Sequence, residues 1–297
     1  MNALTFPEVL DNTIMTTFRK CERKFYWSQV RTLALTDQNV HLISGAAFAK
    51  GLEVCRKSFF LKGLSFEESL IRGAAALVAA YGDYTPSDKN SNKSLPNILG
   101  ALEFYFNKWP ITERVPYEFG GRPAIEFSFA LPIPGCYHPE TGKEMIYCGR
   151  YDLITKLNDV VMGEDDKTTS QLGDSWFAKW RLGSQITGYT WGAQEYGIPI
   201  RGFILRGISL LKRSYGDSEA IVYRSDTKIR EFKENLVLTF HKMVAAWKSG
   251  QYQLNMDDAC SSYGGCPYLE LCESDYPEQW IEGRYVLHKW EPLRSRD

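Results

Sequence analysis

The chain of 297 residues has no long uncharged apolar run. A membrane-spanning helix needs about 20 predominantly apolar residues in a row, so none is expected. An excess of either charge is also missing: 35 Lys and Arg face 36 Asp and Glu, for a formal net charge of −1. No global basic field therefore draws in nucleic acid, and any such contact must come from local patches. Residues 1–7 lack the basic and apolar regions of a secretory leader, which makes a cytoplasmic location the expectation, or the host cytoplasm if a phage encodes the chain. The seven cysteines are odd in number. In a cytosolic chain this argues against a disulfide framework and for a metal or cluster site beside inert buried thiols. What is present is ordinary for a soluble globular protein, with 44% apolar and 24% charged residues. The length suits one large domain, or one domain with an elaborated helical part.

The densest chemistry lies between Gly149 and Tyr189. Gly149-Arg150-Tyr151-Asp152 leads into Leu153-Ile154-Thr155, and a polar break follows at 156–159. Val160-Val161-Met162 then runs into Gly163-Glu164-Asp165-Asp166-Lys167-Thr168-Thr169. Two short strands with a tight connection fit this pattern, the first carrying Asp152 and the second Asp165 and Lys167. Residues two apart on a strand share a face, so Asp165 and Lys167 project together. Two converging carboxylates repel unless a cation sits between them, and hard oxygen ligands suit Mg²⁺ or Mn²⁺. A neighbouring lysine can orient or help deprotonate a water and steady charge developing on a phosphate. A hairpin with surface charges is the plainer alternative for any one of these residues. A helix over 183–196 follows, and Gln185 and Tyr189, four apart, share one of its faces. Gln185 can bond a phosphate or a water, and Tyr189 can contact a backbone or stack on a base.

Upstream, residues 13–30 are expected to be helical, with Thr13 as the cap and a basic cluster of Arg19, Lys20, Arg23 and Lys24. That cluster is either a solvated face or a contact for a phosphate backbone. Helices are predicted over 44–62, 65–82 and 96–109, and the polar stretch 85–94 is expected to be a mobile loop. This helical first third is expected to form a lobe over a sheet. From Val115 the period changes, and 124–130 alternates like a strand. The turn residues Pro132-Ile133-Pro134-Gly135 are expected to reverse the chain. Cys136 and Cys148 have no partner at metal-ligand spacing and are expected to be structural; Cys55 is an uncommitted buried thiol. Strands are expected over 200–213 and 219–224, with Arg206, Lys212 and Arg213 facing substrate or solvent. A helix over 226–248 carries the apolar stripe Ile229, Phe232, Leu236, Phe240, Met243 and Trp247. Trp176 and Trp180 are expected in the core.

Cys260, Cys266 and Cys272 are separated by five residues each in a turn-rich stretch. This differs from the short paired gaps usual for structural zinc. It fits three thiolate ligands of a [4Fe–4S] cluster whose fourth ligand comes from elsewhere in the chain, with zinc as the alternative.

Gly-x-x-Asp at Gly149/Asp152, Asp-x-Lys at Asp165/Lys167 and Gln-x-x-x-Tyr at Gln185/Tyr189 together resemble the RecB-like branch of the PD-(D/E)XK nuclease superfamily. The cysteine pattern is similar to the iron–sulfur members of that branch, the CRISPR-associated RecB-like exonucleases and the AddB nuclease domain. There one early cysteine joins three late ones, which would make Cys21 the fourth ligand of Cys260, Cys266 and Cys272. The resemblance implies an α/β fold: a restriction-endonuclease-like core with a mixed central sheet flanked by helices, and an N-terminal helical lobe. An Fe–S staple would join the N- and C-terminal segments. It implies a single domain over 1–297, divided into a helical lobe (1–112), a nuclease core (113–225) and a C-terminal helix with the cluster segment (226–297). Mg²⁺ or Mn²⁺ would sit on Asp152, Asp165 and the Asp166 carbonyl. Lys167 would orient the water, Gln185 and Tyr189 would assist, and Glu126 would be either close to the metal or an exposed strand residue. The basic cluster would bind DNA, single-stranded rather than double-stranded. Protein partners would belong to repair, recombination, phage or CRISPR adaptation systems. Many relatives carry Gly-x-x-x-His near the metal; this chain has Gly45 but Ala49 in the histidine position, with His41 a weak substitute. The expected activity is a metal-dependent deoxyribonuclease, exonuclease rather than endonuclease. A binding or assembly module that keeps the fold without cutting is the rival.

Overall fold

The computed structural model describes residues 4–37, 39–256, 258–261 and 265–293. Ser262, Tyr263 and Gly264 of the cysteine segment lie outside the described residues. The chain begins with β1 (Val9–Leu10), α1 (Asn12–Lys20), α2 (Glu22–Phe25), a π-helical turn at Tyr26–Val30 and β2 (Leu33–Leu35). Three helices follow: α3 (Val40–Lys62), α4 (Phe66–Tyr81) and α5 (Leu95–Lys108). Then come β3 (Glu118–Phe119), β4 (Arg122–Pro123), β5 (Ile125–Tyr137), β6 (Glu144–Leu157) and β7 (Val160–Thr169). After α6 (Asp174–Arg181) and α7 (Ser184–Glu195) run β8 (Ile200–Leu210) and β9 (Tyr215–Tyr223). The chain closes with α8 (Asp226–Ser249), α9 (Asp258–Ser261), α10 (Leu269–Glu273), α11 (Pro277–Arg284) and β10 (Tyr285–Leu287). Among the described residues no helix is long and apolar enough to cross a membrane.

The chain divides into two compact units, one of residues 1–38, 129–149 and 226–297, the other of residues 39–128 and 150–225. The second unit holds a mixed sheet: β6 pairs antiparallel with β7, β7 parallel with β8, and β8 antiparallel with β9. The β6–β7 turn is two residues long, with Leu157 paired to Val160. Asn158 and Asp159 adopt positive φ of 47° and 66°, the mirror-image turn that matches strand twist. Over this sheet lie α3, α4 and α5, whereas residues 1–38 of the expected helical lobe fall in the other unit. Ala47, Phe48, Leu52, Cys55, Leu102, Tyr105 and Phe106 form one buried cluster with Ile208 and Leu210 of β8. Helices α3 and α4 touch at small residues: a Cβ on Gly73 would stand 2.7 Å from the Gly51 carbonyl oxygen and 2.9 Å from the Cys55 Cβ. Burial pushes the Cys55 thiol up to about 12, so it is an inert core group. Trp176 and Trp180 are buried on α6.

In the first unit β1 pairs parallel with the Ile146–Tyr147 part of β6. Ile229, Leu236, Phe240 and Met243 of α8 are buried, in line with the apolar stripe. Cys136 and Cys148 are buried there, and burial raises both thiols.

Three local expectations are corrected. The cap of α1 is Asp11, whose carboxylate accepts the Ile14 N–H at 2.7 Å; Thr13 lies one residue inside the helix. The chain does not turn at 132–135. Strand β5 runs on to Tyr137, with Leu131 and Ile133 buried and Pro132 and Pro134 exposed between them. The period of two survives because a proline whose missing N–H points away from the ladder costs a strand little. Residues 88–93 form a 3₁₀ helix in place of a free loop. The Lys93 carbonyl accepts from the Tyr81 hydroxyl at 2.7 Å, and Asn92 donates to the Leu210 carbonyl at 2.7 Å. Polar side chains anchor that segment, which an apolar-pattern reading does not detect.

Candidate active site

Strand β7 carries four consecutive charged residues, and alternation sends them to two faces. Asp165 and Lys167 share one face, with Lys167 Nζ 2.8 Å from Asp165 Oδ1. Glu164 and Asp166 share the other. The β6–β7 ladder runs from Leu157–Val160 to Leu153–Glu164. The next pair in the same register is Asp152 with Asp165. There the Asp152 carboxylate takes over from the ladder, its Oδ2 accepting the Asp166 backbone N–H at 3.0 Å. The two acids expected to converge thus meet within one peptide of each other.

Helix α7 closes the same face. Gln185 Nε2 lies 3.3 Å from Asp165 Oδ1 and 3.4 Å from the Tyr189 hydroxyl. Tyr151 fixes the helix by donating from its hydroxyl to the Tyr189 carbonyl at 2.5 Å. Asp152, Asp165, Lys167, Gln185 and Tyr189 are therefore one group.

Its electrostatics are those of crowded buried acids. Burial first, and the Asp152 charge as well, push Asp165 up to about 6 against the pull of Lys167. Burial likewise raises Asp152, opposed by Lys167 and reinforced by Asp166. Lys167 is desolvated too, yet the attraction of Asp165 and Asp152 wins and raises it. Burial and the Asp165 charge push Tyr189 up to about 12. Asp165 is 2% exposed, and its Oδ2 has no hydrogen-bond partner among the described residues. A buried carboxylate oxygen left bare is costly unless a cation satisfies it. The donor chemistry here, two carboxylates and a peptide carbonyl, fits Mg²⁺ or Mn²⁺. Among the described residues no three His, Cys, Asp or Glu side chains could by themselves hold a metal ion.

Glu126 is brought to the edge of this group rather than left exposed. It is a non-glycine residue at φ 53°, a conformation uncommon for a side-chain-bearing residue, and it pairs with Arg150 at 3.1 Å. Burial first, then the charges of Asp152 and Glu53, push it up to about 8. Glu53 went unnoticed in the sequence. It is buried on α3, one turn after Ala49, and both of its oxygens are taken by Lys50 and Lys57. Ala49 itself is exposed. His41 is exposed in the first turn of α3, where Lys93 is its charged neighbour, so it does not take the missing histidine's place.

The opposite face of β7 holds what sequence reasoning missed. Asp166 accepts from Arg56 at 2.8 Å and from the Tyr105 hydroxyl at 2.8 Å. Arg206 donates to Glu164 at 2.7 Å, to Tyr105 at 2.7 Å and to Glu219 at 3.0 Å. Arg206 is 1% exposed, which corrects the expectation that it faces substrate or solvent. The one available signal was its place in a strand otherwise apolar over Phe203-Ile204-Leu205.

In the first unit, the four expected cluster cysteines are electrostatic neighbours. Burial raises Cys266, with the charges of Cys21 and Cys260 adding to it; burial raises Cys272, with Cys266 and Cys21 adding. Cys21 Sγ and Cys260 Sγ lie against the same short stretch, at 4.0 Å from the Gln253 carbonyl and 3.8 Å from the Asn255 carbonyl. Cys266 and Cys272 pack beside Trp27, Leu33, Tyr268, Leu271 and Tyr285. Thiols are soft donors of the kind that bind iron–sulfur clusters or zinc, but among the described residues no group of three or more His, Cys, Asp or Glu is placed to hold a metal ion, these cysteines included. Of the basic cluster, Arg19 is exposed and Lys20, Arg23 and Lys24 are half-buried. Arg23 Nε is committed to the Tyr252 carbonyl at 3.2 Å.

No protein-family model matches the chain, and no curated protein matches it. Among solved structures, the chain is similar to a crystal structure described as a "Putative exonuclease" from Eubacterium rectale. The match has a TM-score of 0.50 at 12% identity and covers 86% of this chain and 88% of that one. At that identity the likeness carries the fold alone: a mixed sheet with flanking helices, compatible with a nuclease core. A second structure, SSO0001, is 16% identical over 88% of this chain and 95% of that one, with a TM-score of 0.32.

Proposed function

We propose that the chain is a metal-dependent DNA nuclease of the PD-(D/E)XK type, RecB-like branch, acting on single-stranded ends. One observation supports this above the others: Asp152 and Asp165 meet beside Lys167, and the buried Oδ2 of Asp165 is unpartnered. The shared fold with the Eubacterium rectale protein is consistent with it. A divalent ion bound by Asp152, Asp165 and the Asp166 carbonyl would supply Lewis acidity toward the scissile phosphate and acidify a water. The Lys167 ammonium, a hydrogen-bond donor, orients the attacking water and steadies charge on the phosphate. Gln185 Nε2 donates to both Asp165 and the Tyr189 hydroxyl and so holds the two in place. Tyr189, its ring packed against Tyr151 and Phe203, places its hydroxyl beside them. Arg19, Lys20, Arg23 and Lys24 are proposed to contact the phosphate backbone, and Cys21, Cys260, Cys266 and Cys272 to bind a [4Fe–4S] cluster that staples distant segments of the first unit.

The test is end-labelled single-stranded DNA with Mn²⁺, in both strand polarities. Cleavage that disappears in Lys167→Ala supports the enzyme. The rival module is favoured by Ala49, which leaves the site without a histidine. Unchanged DNA with tight binding would support that module and refute the nuclease.

A further inference from the structure

The buried network behind β7 does not touch the face that holds Asp165 and Lys167, yet it is built around the residue between them. We propose that Arg56 and Tyr105 are positioning residues of the nuclease site: they clamp Asp166 so that its peptide holds Asp152, Asp165 and Lys167 in register for the metal. This rests on the nuclease reading given above.

Both carboxylate oxygens of Asp166 are held, Oδ2 by Arg56 Nη2 at 2.8 Å and Oδ1 by the Tyr105 hydroxyl at 2.8 Å. Arg56 also donates to the Tyr105 oxygen at 2.8 Å, as does Arg206 at 2.7 Å. A tyrosine hydroxyl has one proton to give and two lone pairs. Here all three are used, so the geometry of Tyr105 has no slack. The backbone N–H of Asp166 meanwhile goes to Asp152 Oδ2 at 3.0 Å. One residue is thus fixed through its side chain to α3 and α5, and through its peptide to β6. Its flanking residues point to the other face of the strand. Any rotation of the Asp166 peptide would shift the Asp165 carboxylate, the Lys167 ammonium and the Asp166 carbonyl together.

Stability alone is a poor explanation for such a cluster. Buried ion pairs are often no better than apolar residues of equal volume. This one also leaves Glu164 Oε1 and Arg206 Nη2 without partners, a cost that a purely structural core would be expected to avoid. Groups that hydrogen-bond to metal-binding residues typically change metal affinity or activity by about 10–100-fold when removed.

The experiment measures Mn²⁺ affinity by calorimetry, and kcat and KM on single-stranded DNA, for wild type, Asp165→Ala, Tyr105→Phe and Arg56→Lys. Tyr105→Phe keeps the ring and deletes the hydroxyl. It is expected to weaken Mn²⁺ binding about tenfold and lower kcat by a similar factor, with KM for DNA unchanged. Arg56→Lys, which keeps the charge but loses the fork, should fall between it and wild type. Circular dichroism and melting without metal establish that each variant is folded. Should Tyr105→Phe not fold, Asp166→Asn makes the same test, because it retains the carbonyl and loosens the clamp. If wild type binds Mn²⁺ and cuts DNA while the folded variants match it in affinity and kcat, the positioning role is overturned and the nuclease reading stands. If wild type takes up no Mn²⁺, or Asp165→Ala takes up as much, the nuclease reading fails and the positioning role fails with it.

Discussion

Replacing Asp165 with asparagine should stabilise the metal-free protein and abolish its response to metal. Asp165 is 2% exposed, and burial holds its carboxyl at about 6 against an ordinary 3.8. That difference corresponds to ~3 kcal/mol of unfavourable ionisation at neutral pH. The folded-state value is raised, so the folded protein binds the proton more tightly than the unfolded chain. Stability from this group is complete below about pH 4, declines between pH 4 and 6, and is lost above about 6. Asparagine has the same shape and never ionises. In chelator, Asp165→Asn should therefore match wild type near pH 4 and exceed it at pH 8 by up to ~3 kcal/mol, roughly 6 °C in melting temperature for a chain of this size. Added Mn²⁺ should reverse the order. A ligand at 1,000 times its Kd stabilises the state that binds it by about 4.1 kcal/mol, and only wild type has the site. Calorimetric melting at pH 4 and pH 8, with chelator and with Mn²⁺, is the assay. A variant less stable than wild type at pH 8 in chelator would show that the Lys167–Asp165 pair outweighs desolvation and would refute the reasoning. An equal Mn²⁺ shift in both proteins would place the metal elsewhere.

Three further outcomes are expected. Lys167→Ala should reduce cleavage of single-stranded DNA by at least about 100-fold while DNA binding in a gel-shift assay is retained; loss of both together would assign Lys167 to binding. Gly73→Ala should destabilise by about 1–3 kcal/mol, because its Cβ would stand 2.7 Å from the Gly51 carbonyl oxygen; an unchanged denaturation midpoint would mean that α3 and α4 separate without cost. Cys266→Ser should remove most of the iron and the brown colour from anaerobically purified protein, whereas colourless wild-type protein with stoichiometric zinc would favour the zinc alternative.

The site was legible in the sequence where its geometry is local. Strand alternation put Asp165 beside Lys167, helical spacing put Gln185 beside Tyr189, and a tight connection between two strands put Asp152 near them. The network behind β7 was not legible, because Arg56, Tyr105, Arg206 and Glu164 come from four elements and are separated by up to 150 positions. A lone Arg in a helix or strand carries no sign of burial until its partners are known. The same holds for the 3₁₀ segment at 88–93, which is anchored by side-chain bonds to backbone carbonyls. The prolines of β5 misled in the opposite direction: turn residues were weighed above the alternation of Leu131 and Ile133.

The run Glu164-Asp165-Asp166-Lys167 would be read in isolation as a solvated turn, yet its three acids are all buried. The two faces of β7 treat that charge differently. Behind the strand, Glu164, Asp166 and Glu219 meet Arg206, Arg56 and Arg114. In front, the Lys167 ammonium pairs with Asp165 and is drawn to Asp152 as well. The acids behind the strand are matched by guanidiniums, although Glu164 Oε1, like Asp165 Oδ2 in front, has no hydrogen-bond partner among the described residues. A protein free to optimise stability alone would have no cause to leave that deficit on a buried strand, since a buried carboxylate oxygen without a partner is costly. The shortfall is therefore the feature that ties this strand to a cation, and the compensated face behind it is what allows four charges in a row to occupy one position in the sheet.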